Sequence, residues 1–428
     1  MNLGKQQPGS QPKLEDEQST RSRLGVRRIL LATCLVCVGL VLGIALGQWV
    51  GRSTSPSAVS KASDSAEGET RWVSGPWGDL QIRRIQIERP DEFVASSFPP
   101  GPPTRWFFAG LSEQQLQTLF SQKDLTAEQQ AVLLDTHNWE VQTNGIYVTP
   151  GRETILNLSP AARQRLYDIL ATNAVNFRQR WAFKMRSDEV EQRFARSGLS
   201  PETLSLVRRF LYRQGKVVCF SDLDEVLSRI PSVAEKRRLI KVLSRQPAAL
   251  ATLKITEGQD VEPLIRYWGR EGRAKDVGPL LEALARLPGG ATVDIAELLP
   301  PFARMLLNTF PYPSEDPLVS RRDCTWSSMN FFKDEPDKRF YDFAVTRQVV
   351  NREYYPIQDD PKFGDIVWFS DAEGNTVHVA VYIAADILFT KNGANFNEPW
   401  LLMEMKDLLA RYTTGTPLKV TTYRRKES

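Results

Sequence analysis

The segments Gly364-Asp365-Ile366-Val367-Trp368-Phe369 and Val377-His378-Val379-Ala380-Val381-Tyr382-Ile383, joined through Ala372-Glu373-Gly374-Asn375, read as two strands and a turn. This hairpin organises the last hundred-odd residues. In the returning strand Val377, Val379, Val381 and Ile383 share one face, and His378, Ala380 and Tyr382 share the other. The small Ala380 leaves room for a helix on the histidine side. Upstream, Asp323 is suited to cap a helix that begins at Cys324 and carries Trp326, Met329 and Phe332 on one stripe. If that helix packs on the His378 face, a thiol and an imidazole meet.

Such a pair has recognisable chemistry. A cysteine in the first turn of a helix feels the positive end of the macrodipole, which favours the thiolate. Cys324 is therefore the candidate nucleophile and His378 the candidate base, able to protonate a leaving amine, with backbone N–H groups at the helix start for the oxyanion. Few residues compete for these roles, because the 428-residue chain has four cysteines and two histidines. Cys34 and Cys37 lie in an apolar run, and Cys219, between Val218 and Phe220, reads as a small buried hydrophobe. His137, in Asp135-Thr136-His137-Asn138-Trp139, reads as a surface or turn residue. Two simpler readings stand beside catalysis: an unrelated cysteine and histidine, or an extracytoplasmic Cys219–Cys324 disulfide. No metal or cofactor is expected.

The N-terminal part reads as an anchor. Ile29 to Val50 runs without a charge, long enough as a helix to match a hydrocarbon core of about 30 Å. Lys5, Lys13, Arg21, Arg23, Arg27 and Arg28 precede it, whereas Arg52 and Lys61 follow, so the N-terminus is expected on the cytoplasmic side. A cleavable signal peptide ending at Ala45-Leu46-Gly47 and a lipoprotein processed at Cys34 or Cys37 are the alternatives. The run exceeds a signal h-region, and both cysteines lie well inside it. The predicted organisation is a basic cytoplasmic tail at 1–28, a transmembrane helix at 29–50, a flexible linker at 51–70 and a mainly helical extracytoplasmic region at 71–300. A last domain occupies 305–428.

Within the middle region, Leu80 to Glu88 reads as a half-buried strand. Ser112-Glu113-Gln114-Gln115 and Thr126-Ala127-Glu128-Gln129 have the pattern of capping boxes, and Ser159-Pro160 and Ser200-Pro201 place proline in a first helical turn. A small strand component is expected around Ile146-Tyr147-Val148 and Ile155. No chemical constellation occurs in this region. The 55 basic residues are balanced by 51 acidic ones without clustering, which argues against a nucleic-acid partner. An envelope protein is the candidate partner for the helical region.

The ordered set Asp323-Cys324, Gly364-Asp365-Ile366-Val367 and His378-Val379-Ala380-Val381-Tyr382 resembles the NlpC-type family of papain-like cell-wall cysteine peptidases, over residues 305–428 only. The resemblance implies an α+β fold for that domain, with the cysteine helix packed on an antiparallel sheet. It also implies a third polar residue about a dozen positions after the histidine. Asn392, whose side chain is best suited to orient an imidazole, is the candidate third catalytic residue, although Thr390 is nearer the spacing. Tyr312 and Asp323 are further candidates near the oxyanion or substrate. Thr325-Trp326 stand where the family usually has Ser-Gly. The implied activity is hydrolysis of peptidoglycan stem peptides at a bacterial inner membrane, by a single-pass protein with its bulk in the periplasm. A non-catalytic envelope scaffold with a degenerate peptidase domain and a Cys/His acyltransferase are the alternatives.

Overall fold

In the computed structural model the described residues are 70–426, apart from 100, 196, 216, 312–321, 395–396 and 414–416. The expected membrane span at 29–50 and Tyr312 lie outside them. Among the described residues no helix is long and apolar enough to cross a membrane.

The chain enters through an antiparallel hairpin of β1 (Thr70–Gly75) and β2 (Gly78–Ile87). A second sheet follows, β3 (Trp106–Ala109), β4 (Trp139–Gln142) and β5 (Gly145–Val148), with β5 central. A third is made of β6 (Phe183–Arg186), β7 (Tyr212–Gln214) and β8 (Val217–Phe220), with β8 central. Then β9 (Gln246–Ile255) and β10 (Ala291–Asp294) return to the first sheet, whose order is β1-β2-β9-β10. The C-terminal sheet contains β11 (Tyr354–Pro356), β12 (Ile366–Ser370), β13 (Thr376–Ala384), β14 (Ile387–Lys391), β15 (Trp400–Glu404) and β16 (Lys419–Arg425). Its order is β11-β16-β12-β13-β14-β15.

The fold class differs from the sequence reading. The expected mainly helical region, 71–300, is mixed α/β, with ten strands in three antiparallel sheets among the described residues. Local signals do specify its helices: Ser112 and Thr126 both form reciprocal capping boxes, and Ser159 and Ser200 cap helices with proline in the first turn. What overrides the helical impression is pairing. The β9 sequence Gln-Pro-Ala-Ala-Leu-Ala-Thr-Leu-Lys-Ile contains good helix formers, yet it lies between β2 and β10, where ladder bonds and burial outweigh propensity. Ile155, expected near a strand, sits in the helix Arg152–Asn157.

The largest core joins both sides of the expected boundary near 305. Leu80, Leu253, Trp268 and Phe302 pack in one cluster with Trp326, Met329, Val379, Val381, Phe389 and Trp400. A separate core fills 106–243, and a third lies on the other face of the C-terminal sheet, uniting Ile87 and Ala248 with Phe369, Ala380, Tyr382 and Leu408.

Candidate active site

The helix Cys324–Met329 begins as its sequence requires, the Asp323 carboxylate accepting the Trp326 N–H at 2.9 Å. Trp326 and Met329 bury against Val379, Val381 and Phe389 on one face of the sheet. Trp326 stacks on Tyr341, with centroids 5.7 Å apart, and meets Phe302 edge-on at 5.3 Å. It is a core residue of this helix.

His378 belongs to the opposite face. Its ring stacks on Tyr412 at 4.3 Å, contacts Phe369 at 5.9 Å, and is 1% exposed. Tyr412 ends the helix Met405–Tyr412, which closes this face. That helix is fastened from outside the sheet: Arg84 donates to Asp407 at 2.7 Å, Arg186 to the same carboxylate at 3.2 Å, and Arg411 to Gln246 and Glu398 at 2.9 Å each. The expected packing of the cysteine helix on the histidine face is therefore corrected. Side chains alternate along β13, so Val379 faces the cysteine helix while His378 and Ala380 face Tyr412 and Leu408.

The cysteine helix nevertheless meets the histidine's strand. The backbone N–H of Val379 favours the Cys324 thiolate, against the larger effect of desolvation. The cysteine helix packs on β13 and β14, and Val379 directly follows His378 in β13. The β13–β14 ladder pairs Val381 with Phe389, Tyr382 with Leu388 and Ala384 with Ile387, and Val379 precedes the first of these pairs.

The ring nitrogens of His378 have unequal surroundings. Nε2 is 2.7 Å from the Thr390 hydroxyl, whereas Nδ1 has no hydrogen-bond partner among the described residues. The partner on the imidazole is thus Thr390 rather than Asn392. Asn392 donates to the Met403 sulfur at 3.9 Å and accepts from the Tyr412 hydroxyl at 3.4 Å. Residues 390 and 392 share a side of the chain, and only the register of β14 decides which reaches the ring.

The electrostatics of this closed site differ from the expected thiolate. Cys324 is half-buried, and desolvation by its surroundings pushes the thiol up to about 11, the neighbouring Asp323 carboxylate adding to the effect. Burial, helped by Arg411, draws His378 down to about 3. Both groups are neutral near pH 7, and desolvation outweighs the helix dipole. Asp323 is itself raised by burial, opposed by the backbone N–H groups of Trp326 and Thr325 and by Lys391.

Other residues from the sequence reading have plain positions. His137 is on the surface beside Asp135, at 2.8 Å. Cys219 is buried, and Cys219 and Cys324 are both free thiols. Gly364-Asp365, read as the start of a strand and as part of the resemblance, precedes β12 and has a structural reason. Gly364 has φ +88° and a Cβ there would meet the Phe332 ring at 2.3 Å. Asp365 is buried and accepts from Arg424 at 2.8 Å and Arg270 at 3.1 Å. Lys391 is the residue of this site that sequence reasoning passed over as a nearby polar position. Among the described residues no group of acidic, histidine and cysteine side chains is arranged to hold a metal ion. No protein-family model matches the chain, and neither a curated protein nor a solved structure matches it.

Proposed function

We propose that the chain is a cysteine hydrolase of amide bonds, with Cys324 as nucleophile and His378 as its proton carrier, acting on peptidoglycan stem peptides. One observation carries this reading: the cysteine helix packs on the strand that carries His378, while Thr390 holds His378 through Nε2 and Nδ1 has no hydrogen-bond partner among the described residues. A thiol–imidazole pair needs that division, one nitrogen held and the other available for the proton. His378 takes the thiol proton as the Cys324 sulfur bonds to the acyl carbon, and the amide C–N bond breaks as the imidazolium so formed gives that proton to the amine. Water then cleaves the thioester, giving the acid and restoring the thiol.

The substrate class rests on the resemblance of Asp323-Cys324, Gly364-Asp365 and His378-Val379-Ala380-Val381-Tyr382 to the NlpC-type peptidases. The charge-free run 29–50 with its basic flank supports a location at a bacterial inner membrane, with the bulk of the chain periplasmic. Because His378 is covered by Tyr412 and both reacting groups are neutral, a substrate must displace that cover before reaction. The same covering favours a second reading, a non-catalytic envelope protein that binds cell-wall peptides through a closed peptidase-like domain.

Incubating the purified full-length chain with peptidoglycan and detecting released peptides by mass spectrometry separates the two. Release that stops in Cys324→Ala supports hydrolysis. Release by Cys324→Ala equal to that of the unaltered chain refutes the mechanism, and sedimentation with peptidoglycan without release supports the binding reading.

A further inference from the structure

We propose that the middle region holds a binding site for a phosphate monoester on the helix Val233–Leu243, separate from the Cys324–His378 pair and independent of the reading given to that pair. A cavity of about 470 Å³ opens there to solvent, within the size range of small-ligand sites. The helix buries Leu239, Val242 and Leu243 in the core, and another of its faces lines the cavity with Arg237, Arg238 and Lys241. Arg245, just beyond the helix and 5% exposed, joins them. Glu88 and Asp91, from the segment that follows β2, supply the carboxylates of the lining.

Among the described residues four cations and two carboxylates line this cavity, so its walls keep two positive charges in excess. Lys241 donates to the Asp91 carboxylate at 3.0 Å and Arg245 to that of Glu88 at 2.6 Å. Arg237 and Arg238 instead donate to the neutral carbonyls of Asp91 and Gly198, at 2.9 and 2.6 Å, which fixes both side chains without cancelling their charge. Next to Arg245, the buried Arg193 donates to the Arg245 carbonyl and accepts from Arg245 in return, both at 2.7 Å, adding a further positive charge. Like charges three and four positions apart on a helix destabilise it, as Arg238 and Arg237 do with Lys241. A local conflict of this kind, kept in a folded chain, points to a site. A phosphate monoester carries about −1.5 to −2 charge near pH 7, which matches the excess, and guanidinium forks match its oxygens. A single carboxylate would neutralise only half of it.

The test is isothermal titration calorimetry of the purified full-length chain with inorganic phosphate, against chloride at equal ionic strength. Phosphate should bind with a Kd of about 1 mM or tighter. Arg237→Gln and Arg238→Gln should each weaken binding about tenfold, the loss of one charge-assisted hydrogen bond. Asp91→Asn raises the excess charge and should tighten binding about threefold. Lowering the pH from about 7.5 to about 5.5 should weaken it, because the ligand takes up a proton. Short-chain phosphatidic acid, with phosphatidylcholine of the same chain length as control, separates two sources of the same group. Phosphatidic acid bound more tightly than phosphate identifies a lipid headgroup, and phosphate bound equally or better identifies a soluble ester, either result supporting the site. Absence of phosphate binding together with no preference for phosphatidic acid over phosphatidylcholine overturns the proposal. So does an affinity that neither arginine variant lowers, or one that Asp91→Asn lowers. Circular dichroism checks folding, and the Asp91→Asn comparison decides the matter even if both arginine variants misfold. No peptide release is measured, so failure of the hydrolase reading leaves this result untouched.

Discussion

Acidification should destabilise the native chain through His378, and by an amount its surroundings set. The ring is held between Tyr412 and Phe369, and burial keeps it neutral down to about pH 3. An unfolded chain protonates the same ring near pH 6.5. Between these values the unfolded state binds a proton that the native state does not, so stability falls as pH falls. One proton is worth about 1.4 kcal/mol per pH unit, so going from pH 6 to pH 4 should remove roughly 2 kcal/mol on account of this ring alone. Urea unfolding of the full-length chain and of His378→Leu at both pH values measures it. Leucine retains an apolar side chain and removes the titrating group, and the other acid-labile groups contribute to both proteins alike. The variant should lose roughly 2 kcal/mol less over that interval, while above pH 7 the two should have the same pH slope. Equal losses would refute the burial and neutral state assigned to His378.

Further outcomes follow from the site. Trp326→Ala should lower stability by about 3–5 kcal/mol in chemical unfolding, because it empties the space between Phe302 and Tyr341. Trp326→Phe should cost much less, since the buried indole N–H has no hydrogen-bond partner among the described residues. Asp323→Asn should speed alkylation of Cys324 near pH 8 severalfold, because the Asp323 charge raises the thiol while asparagine can still cap the helix. Thr390→Val should cost about 1–3 kcal/mol in urea unfolding by leaving both His378 nitrogens unpaired, and should lower any peptide release more than Asn392→Ala does.

Much of the local structure was legible because it is encoded within a few residues. Ser112 with Gln115, Thr126 with Gln129, and Asp323 with Trp326 are contacts three positions apart, so residue type and spacing are enough to predict them. The hairpin from Ile366 to Ala384 was legible for a similar reason, its two short apolar, β-branched and aromatic runs flanking a Gly-Asn turn. The strand β9 was not, because its composition suits a helix and only its neighbours β2 and β10 make it a strand.

Sequence alone determined the two faces of β13, since a strand turns successive side chains to opposite sides and no packing changes that. It could not determine which layer covers each face. The tertiary structure put the cysteine helix on the Val379 face and the Tyr412 helix over His378, because Trp326 and Met329 fit the larger core while Arg84, Arg186 and Gln246 fasten the other helix from distant parts of the chain. The same arrangement placed Lys391 on the face of the cysteine helix, against Trp400, and gave the imidazole to Thr390. Burial set both groups neutral, since desolvation depends on everything packed around a residue and on none of its neighbours in sequence alone.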